Sequence, residues 1–270
     1  MEGSVRLVRE DVGIARLVLA RPEKRNALTD RMIDSLIRHM ESLQWEPSEK
    51  LRFLVLEAEG DFFCSGSDVD ELKKTGELSG DDNIREAFIF ARLFRELSAL
   101  PFPTIAMVRG GAFGAAAGIL ASADYVVADE TAVFGIPEAR LGLVPAVISL
   151  YMARKTGLSN LSAMSLRGGT FSAGDALRMG LVHRIAARGA FEKECAAAED
   201  DFLACGPESL RKIKLMHLKI SPLPENEIEE FAAMQNAEAR ASEEGREGMT
   251  AFRETRPPKW LAKKNDKGCS

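Results

Sequence analysis

Backbone amides, more than side chains, are the first candidates for chemistry in this sequence. From Thr104 to Asp124 the chain reads TIAMVRGGAFGAAAGILASAD: an apolar run, then glycines, then small residues. Ile105, Ala106, Met107 and Val108 predict a buried strand, Gly110, Gly111 and Gly114 a sharp turn, and Ala115 to Ser122 a helix. The first turn of a helix leaves its N–H groups unpartnered and carries the positive end of the dipole. A negative oxygen, such as that of an enolate, would therefore be stabilised near Gly114 and Ala115. The same composition would also suit a helix packed closely on a strand, and this stretch alone leaves both readings open.

A second stretch, FFCSGSD at 62 to 68, has the same character. Phe62 and Phe63 enter a turn containing Gly66, and Asp68 can cap a following helix, VDELKK, leaving the Ser67 N–H in a tight polar concavity. That amide would be a second donor to the same oxygen, although an aromatic pair before a capped helix is also an ordinary structural arrangement. Two preorganised donors on a carbonyl make its Cα–H more acidic, because the enolate charge develops where they already point. A positioned carboxylate must then move the proton. Cys64 reads as a small packed residue, since no histidine in these stretches supplies a base to activate it.

The elements that must hold these turns are legible from periodicity. Val5 to Val8 and Ile14 to Leu19 predict paired strands, and RPEKRNALT a polar loop. Thr29 or Asp30 caps a helix with Met32, Ile33, Leu36, Ile37, Met40 and Leu43 on one face. Phe53 to Leu56 predict a buried strand, Glu59 to Asp68 a turn-rich loop, and Ile84 to Leu100 a helix with Ile84, Ala87, Phe88, Ala91, Phe94 and Leu97 on one side. Strands at Tyr125 to Ala128 and Ala132 to Phe134 follow the central helix. Beyond Pro145 helices dominate: Val147 to Lys155, Leu161 to Leu166, Ser172 to Met179, a short strand Leu181 to Ile185, then long helical stretches to about Phe252. Gly206 and Pro207 open a C-terminal helical region, and RPPKWLAKKNDKGCS reads as a frayed basic tail. The pattern is mixed α/β.

A chain of 270 residues, 46% hydrophobic and 29% charged, can bury a sizeable core. Its formal net charge of -5 argues against nucleic acid as a partner. The N-terminus lacks an apolar signal core and no apolar run reaches the roughly 20 residues of a membrane span, so a soluble cytoplasmic protein with no membrane association is expected. Cys64, Cys195, Cys205 and Cys269 lack CxxC spacing, so reduced thiols are expected. His39, His183 and His217 form no metal motif, so no metal is expected, and His183 and His217 read as structural.

Taken in order, RPEKRNALT at 21 to 29, FFCSGSDVDEL at 62 to 72, the glycine turn through ASADYVVA, FGIPEARLGLVP at 134 to 145, FSAGDALRMGLVHRI at 171 to 185 and GPESLRKIK at 206 to 214 resemble the enoyl-CoA hydratase/isomerase superfamily, the crotonase family. The resemblance spans nearly the whole chain. It implies a core spiral of ββα units over 1–205, a C-terminal helical region over 206–270 serving oligomerisation and site cover, and a homotrimer or homohexamer. Acyl-CoA is the implied substrate, with coenzyme A entering as part of it and no other cofactor. The family's oxyanion-hole amides fall on Ser67 and Ala115, and a catalytic glutamate on Glu138. Lys24, Arg25, Ala27 and Cys64 fall where relatives meet the CoA nucleotide, and Gly66, Asp68, Val69, Gly114 and Pro137 complete the implied substrate contacts.

One position departs from the pattern: where common hydratases carry a second glutamate, this chain has Gly118. Hydration of a 2-enoyl-CoA by Glu138 through a single water is the first expectation. Isomerisation of a 3-enoyl-CoA, which needs one carboxylate, is the alternative. A catalytically depleted member that only binds acyl-CoA, a partner or RNA is the third. The stretch LGLVPAVISLYMARKTG is similar to bacterial 3-methylglutaconyl-CoA hydratases, which would give Arg140 a distal carboxylate to meet. A surface or intersubunit charge is the plainer expectation for Arg140.

Overall fold

The structure, a computed structural model, describes residues 4–75, 79–220 and 225–264. The end of the predicted basic tail, with Cys269, lies outside them.

An antiparallel pair, β1 (Val5–Arg9) and β2 (Ile14–Leu19), starts a six-stranded sheet that continues in parallel through β3 (Phe53–Ala58), β4 (Thr104–Val108), β6 (Tyr125–Asp129) and β9 (Arg184–Ala186). A second sheet holds β5 (Gly111–Phe113), β7 (Val133–Gly135) and β8 (Thr170–Ser172), in that order. The intervening helices are α1 (Asp30–Leu43), α2 (Val69–Thr75), α3 (Gly80–Ala99), α4 (Ala115–Ser122), α5 (Ala146–Thr156), α6 (Leu158–Arg167), α7 (Ala173–Arg178) and α8 (Phe191–Ala204). Helices α9 (Pro207–Ile220), α10 (Glu225–Ala241) and α11 (Glu243–Arg253) follow. The α/β class expected from the alternating pattern is the one observed.

The central strands are apolar on both faces because both faces are covered, as parallel strands require. Leu54, Leu56, Ala106, Val108, Val126 and Ala128 face the cluster shared with α1, α3 and α4. Their alternates Phe53, Val55, Ile105, Met107 and Val127 pack with Cys195, Ala198 and Leu203 of α8. Each side chain of this size contributes about 1.5–3 kcal/mol when fully buried.

All six apolar positions expected on α1 are buried, and the Thr29 hydroxyl accepts from the Met32 N–H at 3.4 Å as its cap. On α3 the stripe is only half used: Phe94 and Leu97 are buried, whereas Ile84 is 57% and Phe88 67% exposed. That helix starts at Gly80, ahead of the expected Ile84, because Ser79 accepts from the Asp82 N–H and supplies the cap. The predicted strand at 181 to 185 shifts to Arg184–Ala186, and the glycine turn at 110 to 114 contains a short strand, β5.

Helix α9 is pinned to the core by buried bonds. Lys214 donates to the Phe102 carbonyl at 3.0 Å and to Asp124 Oδ2 at 2.7 Å, and Arg211 donates to the carbonyls of Glu46 and Leu51. The Glu244 carboxylate of α11 accepts from the amides of Glu208 and Ser209, closing the start of α9. The tail also folds back further than expected: Trp260 Nε1 donates to the Ala204 carbonyl at 3.2 Å.

Candidate active site

Three chain segments meet at the glycine turn. Two single-residue parallel bridges, Leu28 with Ser67 and Cys64 with Ala112, tie the polar loop after β2 and the FFCSGSD loop to β5. In the first bridge the Leu28 N–H donates to the Gly66 carbonyl and the Asp68 N–H to the Leu28 carbonyl, both at 2.8 Å. The ladder thus uses the groups on either side of Ser67 and leaves the Ser67 N–H with no acceptor among the described residues. Ala115, the first residue of α4, also has no acceptor for its N–H there, as a helix start dictates.

The two turns lie against each other. A β-carbon at Gly66 would stand 2.7 Å from the Phe113 carbonyl oxygen and 3.8 Å from the Ala115 nitrogen, so glycine is needed for this close approach. Gly114 has φ 51° and ψ -117°, a conformation reserved for glycine, and its N–H donates to the Gly135 carbonyl of β7 at 3.0 Å. That bond ties the start of α4 to the strand that leads into Glu138.

Glu138 opens a single 3-10 turn, Glu138–Leu141, closed by Gly142 in the left-handed conformation and by the Leu143 N–H donating to the Glu138 carbonyl. Its carboxylate faces the glycine turn: a β-carbon at Gly114 would stand 3.1 Å from Oε1. Oε2 is buried without a hydrogen-bond partner. Burial pushes the Glu138 carboxyl above its ordinary range, with its own backbone N–H working the other way. The structure therefore brings together two unpartnered amides and one poorly solvated carboxylate.

Gly118, one turn into α4, borders no open space. A β-carbon there would stand 2.5 Å from Phe94 Cζ and 2.7 Å from Ile148 Cγ2. Phe94, whose ring meets Tyr151 edge-on at 5.5 Å, and Ile148 fill the volume in which a side chain at position 118 would begin. Hydrocarbon therefore occupies the space beside position 118.

The remaining residues have clear surroundings. The Asp68 carboxylate accepts from the Asp70 N–H at 2.8 Å, capping α2, and from Arg21 Nη1 at 2.6 Å. Burial works to raise its pKa, but the hydrogen bonds from Arg21, Asp70 and Glu71 outweigh it and hold the carboxyl below its ordinary range. Val69 is 63% exposed beside it in the chain. Both backbone groups of Cys64 are engaged, the N–H by Gly111 and the carbonyl by Phe113, and burial pushes its thiol up to about 12. Ala27 is buried with its carbonyl accepting from Arg21 Nη1 at 3.0 Å. Lys24 and Arg25 are exposed, with the Arg25 guanidinium 5.7 Å from the Phe62 ring centre. Arg140 lies along Gly168 and Gly169 at the end of α6, where Nε donates to the Arg167 carbonyl. Its guanidinium is directed to the plainer of the two expected places.

Sequence reasoning passed over Asn26. It is fully buried at φ 54°, its Nδ2 donates to the carbonyls of Glu59 at 3.0 Å and Phe62 at 2.7 Å, and its Oδ1 accepts from the Arg21 N–H at 2.8 Å. This clasp joins the two loops that carry the site. A tolerance of left-handed backbone, typical of asparagine, was the available signal.

Among the described residues, no group of three or more His, Cys, Asp or Glu side chains is placed to hold a metal ion, and no helix is long and apolar enough to cross a membrane.

A model of the family described as enoyl-CoA hydratase/isomerase matches residues 9–263. A Thermus thermophilus relative, whose name marks its enoyl-CoA hydratase assignment as provisional, is 33% identical over 247 residues, covering 92% of this chain and 97% of that protein. The crystal structure of an enoyl-CoA hydratase from Shewanella pealeana superposes with a TM-score of 0.88 at 31% identity, covering 96% of each chain. An enoyl-CoA hydratase structure from Mycobacterium smegmatis gives a TM-score of 0.90 at 27% identity, covering 96% of this chain and all of that one.

Proposed function

The chain belongs to the enoyl-CoA hydratase/isomerase family, with the crotonase fold, and from that premise we propose that it hydrates a 2-enoyl-CoA. The observation that carries the proposal is the meeting of the free Ser67 and Ala115 amides with the half-buried Glu138 carboxylate. The thioester oxygen accepts from both amides. Glu138 takes a proton from one water as its oxygen adds to C3, and the enolate then receives a proton at C2 from the same carboxyl. The raised Glu138 pKa suits the second step, since a carboxyl that holds its proton more firmly is available as an acid near neutral pH. Coenzyme A enters with the substrate, its nucleotide end near Lys24 and Arg25, and Gly66, Asp68, Gly114 and Pro137 shape the path to the thioester.

The acyl group we assign is apolar. Val69 and Val144 leave large side chains uncovered near Ser67 and Glu138 in the chain, and Arg140, the candidate for a distal carboxylate, is turned to the end of α6. This favours a crotonyl-type substrate over a 3-methylglutaconyl one. A homotrimer or homohexamer and a soluble cytoplasmic setting complete the proposal, with light scattering as the check on assembly.

The filled space at Gly118 favours a second reading, isomerisation of a 3-enoyl-CoA, in which Glu138 removes the C2 proton and returns it at C4. Incubation with crotonyl-CoA, 3-methylglutaconyl-CoA and 3-hexenoyl-CoA, followed by mass and chromatography, separates the two. Gain of one water on crotonyl-CoA supports hydration, whereas an equal-mass product from 3-hexenoyl-CoA alone replaces it with isomerisation. Glu138→Gln should lower either rate by about 10²–10⁴-fold with binding retained; unchanged turnover would remove Glu138 from the mechanism.

A further inference from the structure

The end of α4 remote from the candidate donors holds a half-buried charge. With eight residues, α4 is about 12 Å long at ~1.5 Å per residue. Lys155, on the packed helix α5, reaches its C-terminal end, where Nζ donates to the Ala123 carbonyl and, at 3.4 Å, to that of Asp124. We propose that Lys155 is a positioning residue, whose ammonium anchors and neutralises the carbonyl end of α4 so that the amide end stays fixed and positive toward the thioester oxygen. The proposal rests on the reading of Ser67 and Ala115 as oxyanion donors.

Burial lowers the pKa of two lysines here, Lys155 and Lys214, and Asp124 opposes the shift in both. From the loop after α4, Asp124 Oδ2 is already held by the Thr104 N–H at 2.8 Å, the Thr104 hydroxyl at 2.9 Å and Lys214 of α9 at 2.7 Å. Lys155 donates to main-chain carbonyls, whereas Lys214 donates to the Asp124 carboxylate. Between α7 and β9, His183 stacks on Tyr125, and its Nδ1 accepts from the Val126 N–H at 3.0 Å. That bond requires the neutral ring, and burial, aided by the Lys155 charge, pushes the His183 pKa down to about 4. With both lysines protonated, the group of Asp124, Lys155, Lys214 and His183 carries one net positive charge. It becomes neutral when Lys155 loses its proton.

Burial is the main cause that brings the Lys155 pKa down to about 8; Asp124 opposes the shift and Lys214 reinforces it. A lysine whose folded value lies below its unfolded one gives up stability when charged, and stability recovers as pH rises from about 8 toward the ordinary lysine range. The folded protein thus carries this cation near neutral pH against its own burial. Such a position costs stability, and the helix it serves is the one whose opposite end forms the candidate oxyanion turn.

The test uses para-dimethylaminocinnamoyl-CoA, a thioester whose absorbance moves to the red when its carbonyl is polarised, bound to the whole protein between about pH 6.5 and about pH 9.5. The red shift should shrink through about pH 8 in the wild type, stay nearly constant in Lys155→Arg, and be small throughout in Lys155→Met. Lys155→Met should also lower kcat about five- to ten-fold with little change in KM, the size of one charge acting over about 12–15 Å at an effective dielectric of about 20. The wild-type titration needs no variant, so a variant that fails to fold leaves the test intact. A wild-type shift that is flat across pH 8, or a Lys155→Met protein with the wild-type shift, overturns the proposal alone. A wild type that never shifts the probe overturns the oxyanion reading with it.

Discussion

Replacing Gly118 by alanine should destabilise the protein, although alanine is the better helix former. In an open helix the exchange would gain about 1 kcal/mol. Here the new methyl would stand 2.5 Å from Phe94 Cζ and 2.7 Å from Ile148 Cγ2, where carbon atoms normally rest about 3.5–4.0 Å apart. Phe94 is fully buried and Ile148 nearly so, and overpacking of this kind costs about 1–3 kcal/mol. The net expectation is a loss of about 0–2 kcal/mol, read as a lower urea midpoint at unchanged slope. The sharper test is the cycle with Phe94→Leu, which removes the ring atoms that collide. Gly118→Ala should then be tolerated better by at least about 0.5 kcal/mol in the Phe94→Leu background. A single variant more stable than the wild type, or strict additivity in the cycle, would refute the argument that hydrocarbon occupies the space beside position 118.

Two further outcomes follow from the site's electrostatics and its clasp. Burial raises the folded-state pKa of Glu138 above its unfolded value, so its contribution is largest in acid and is lost as pH rises through the raised pKa. Glu138→Gln should therefore raise the thermal midpoint near neutral pH and flatten its pH dependence on the acid side; an unchanged midpoint and slope would contradict the burial. Asn26→Ala strips the partners from the Arg21 N–H and the carbonyls of Glu59 and Phe62, and should cost about 2–4 kcal/mol in a urea titration. A loss under about 0.5 kcal/mol would show that the loops hold together without it.

Periodicity made α1 legible because a stripe of six apolar residues has a single burial solution. On α3 the same logic places Ile84 and Phe88 on the apolar side, and both remain exposed there. A local pattern states that a face is apolar without stating what covers it. The turns that carry the Ser67 and Ala115 amides could be read from glycine and cap chemistry, since Gly114 and Asp68 act through their own backbone neighbourhoods. Phe94 and Ile148 could not be read as neighbours of Gly118, because that contact joins α3 and α5 across the core. The same limit hid the Asn26 clasp, the turned-away Arg140 and the Lys155 contact with the end of α4, each of which depends on how distant segments meet.

The bridges of Leu28 to Ser67 and of Cys64 to Ala112 have a consequence for how this site tolerates change. The two donors we propose are main-chain groups, and the bridges hold their surroundings through main-chain bonds on both sides. Their spacing is therefore written in residue count more than in residue identity. Exchanging Ser67 or Ala115 for another small residue leaves the count intact, whereas inserting or deleting one residue between Cys64 and Asp68 would slip the pairing and turn the Ser67 amide away. The reading frame of the loop, more than its spelling, is what the proposed chemistry depends on.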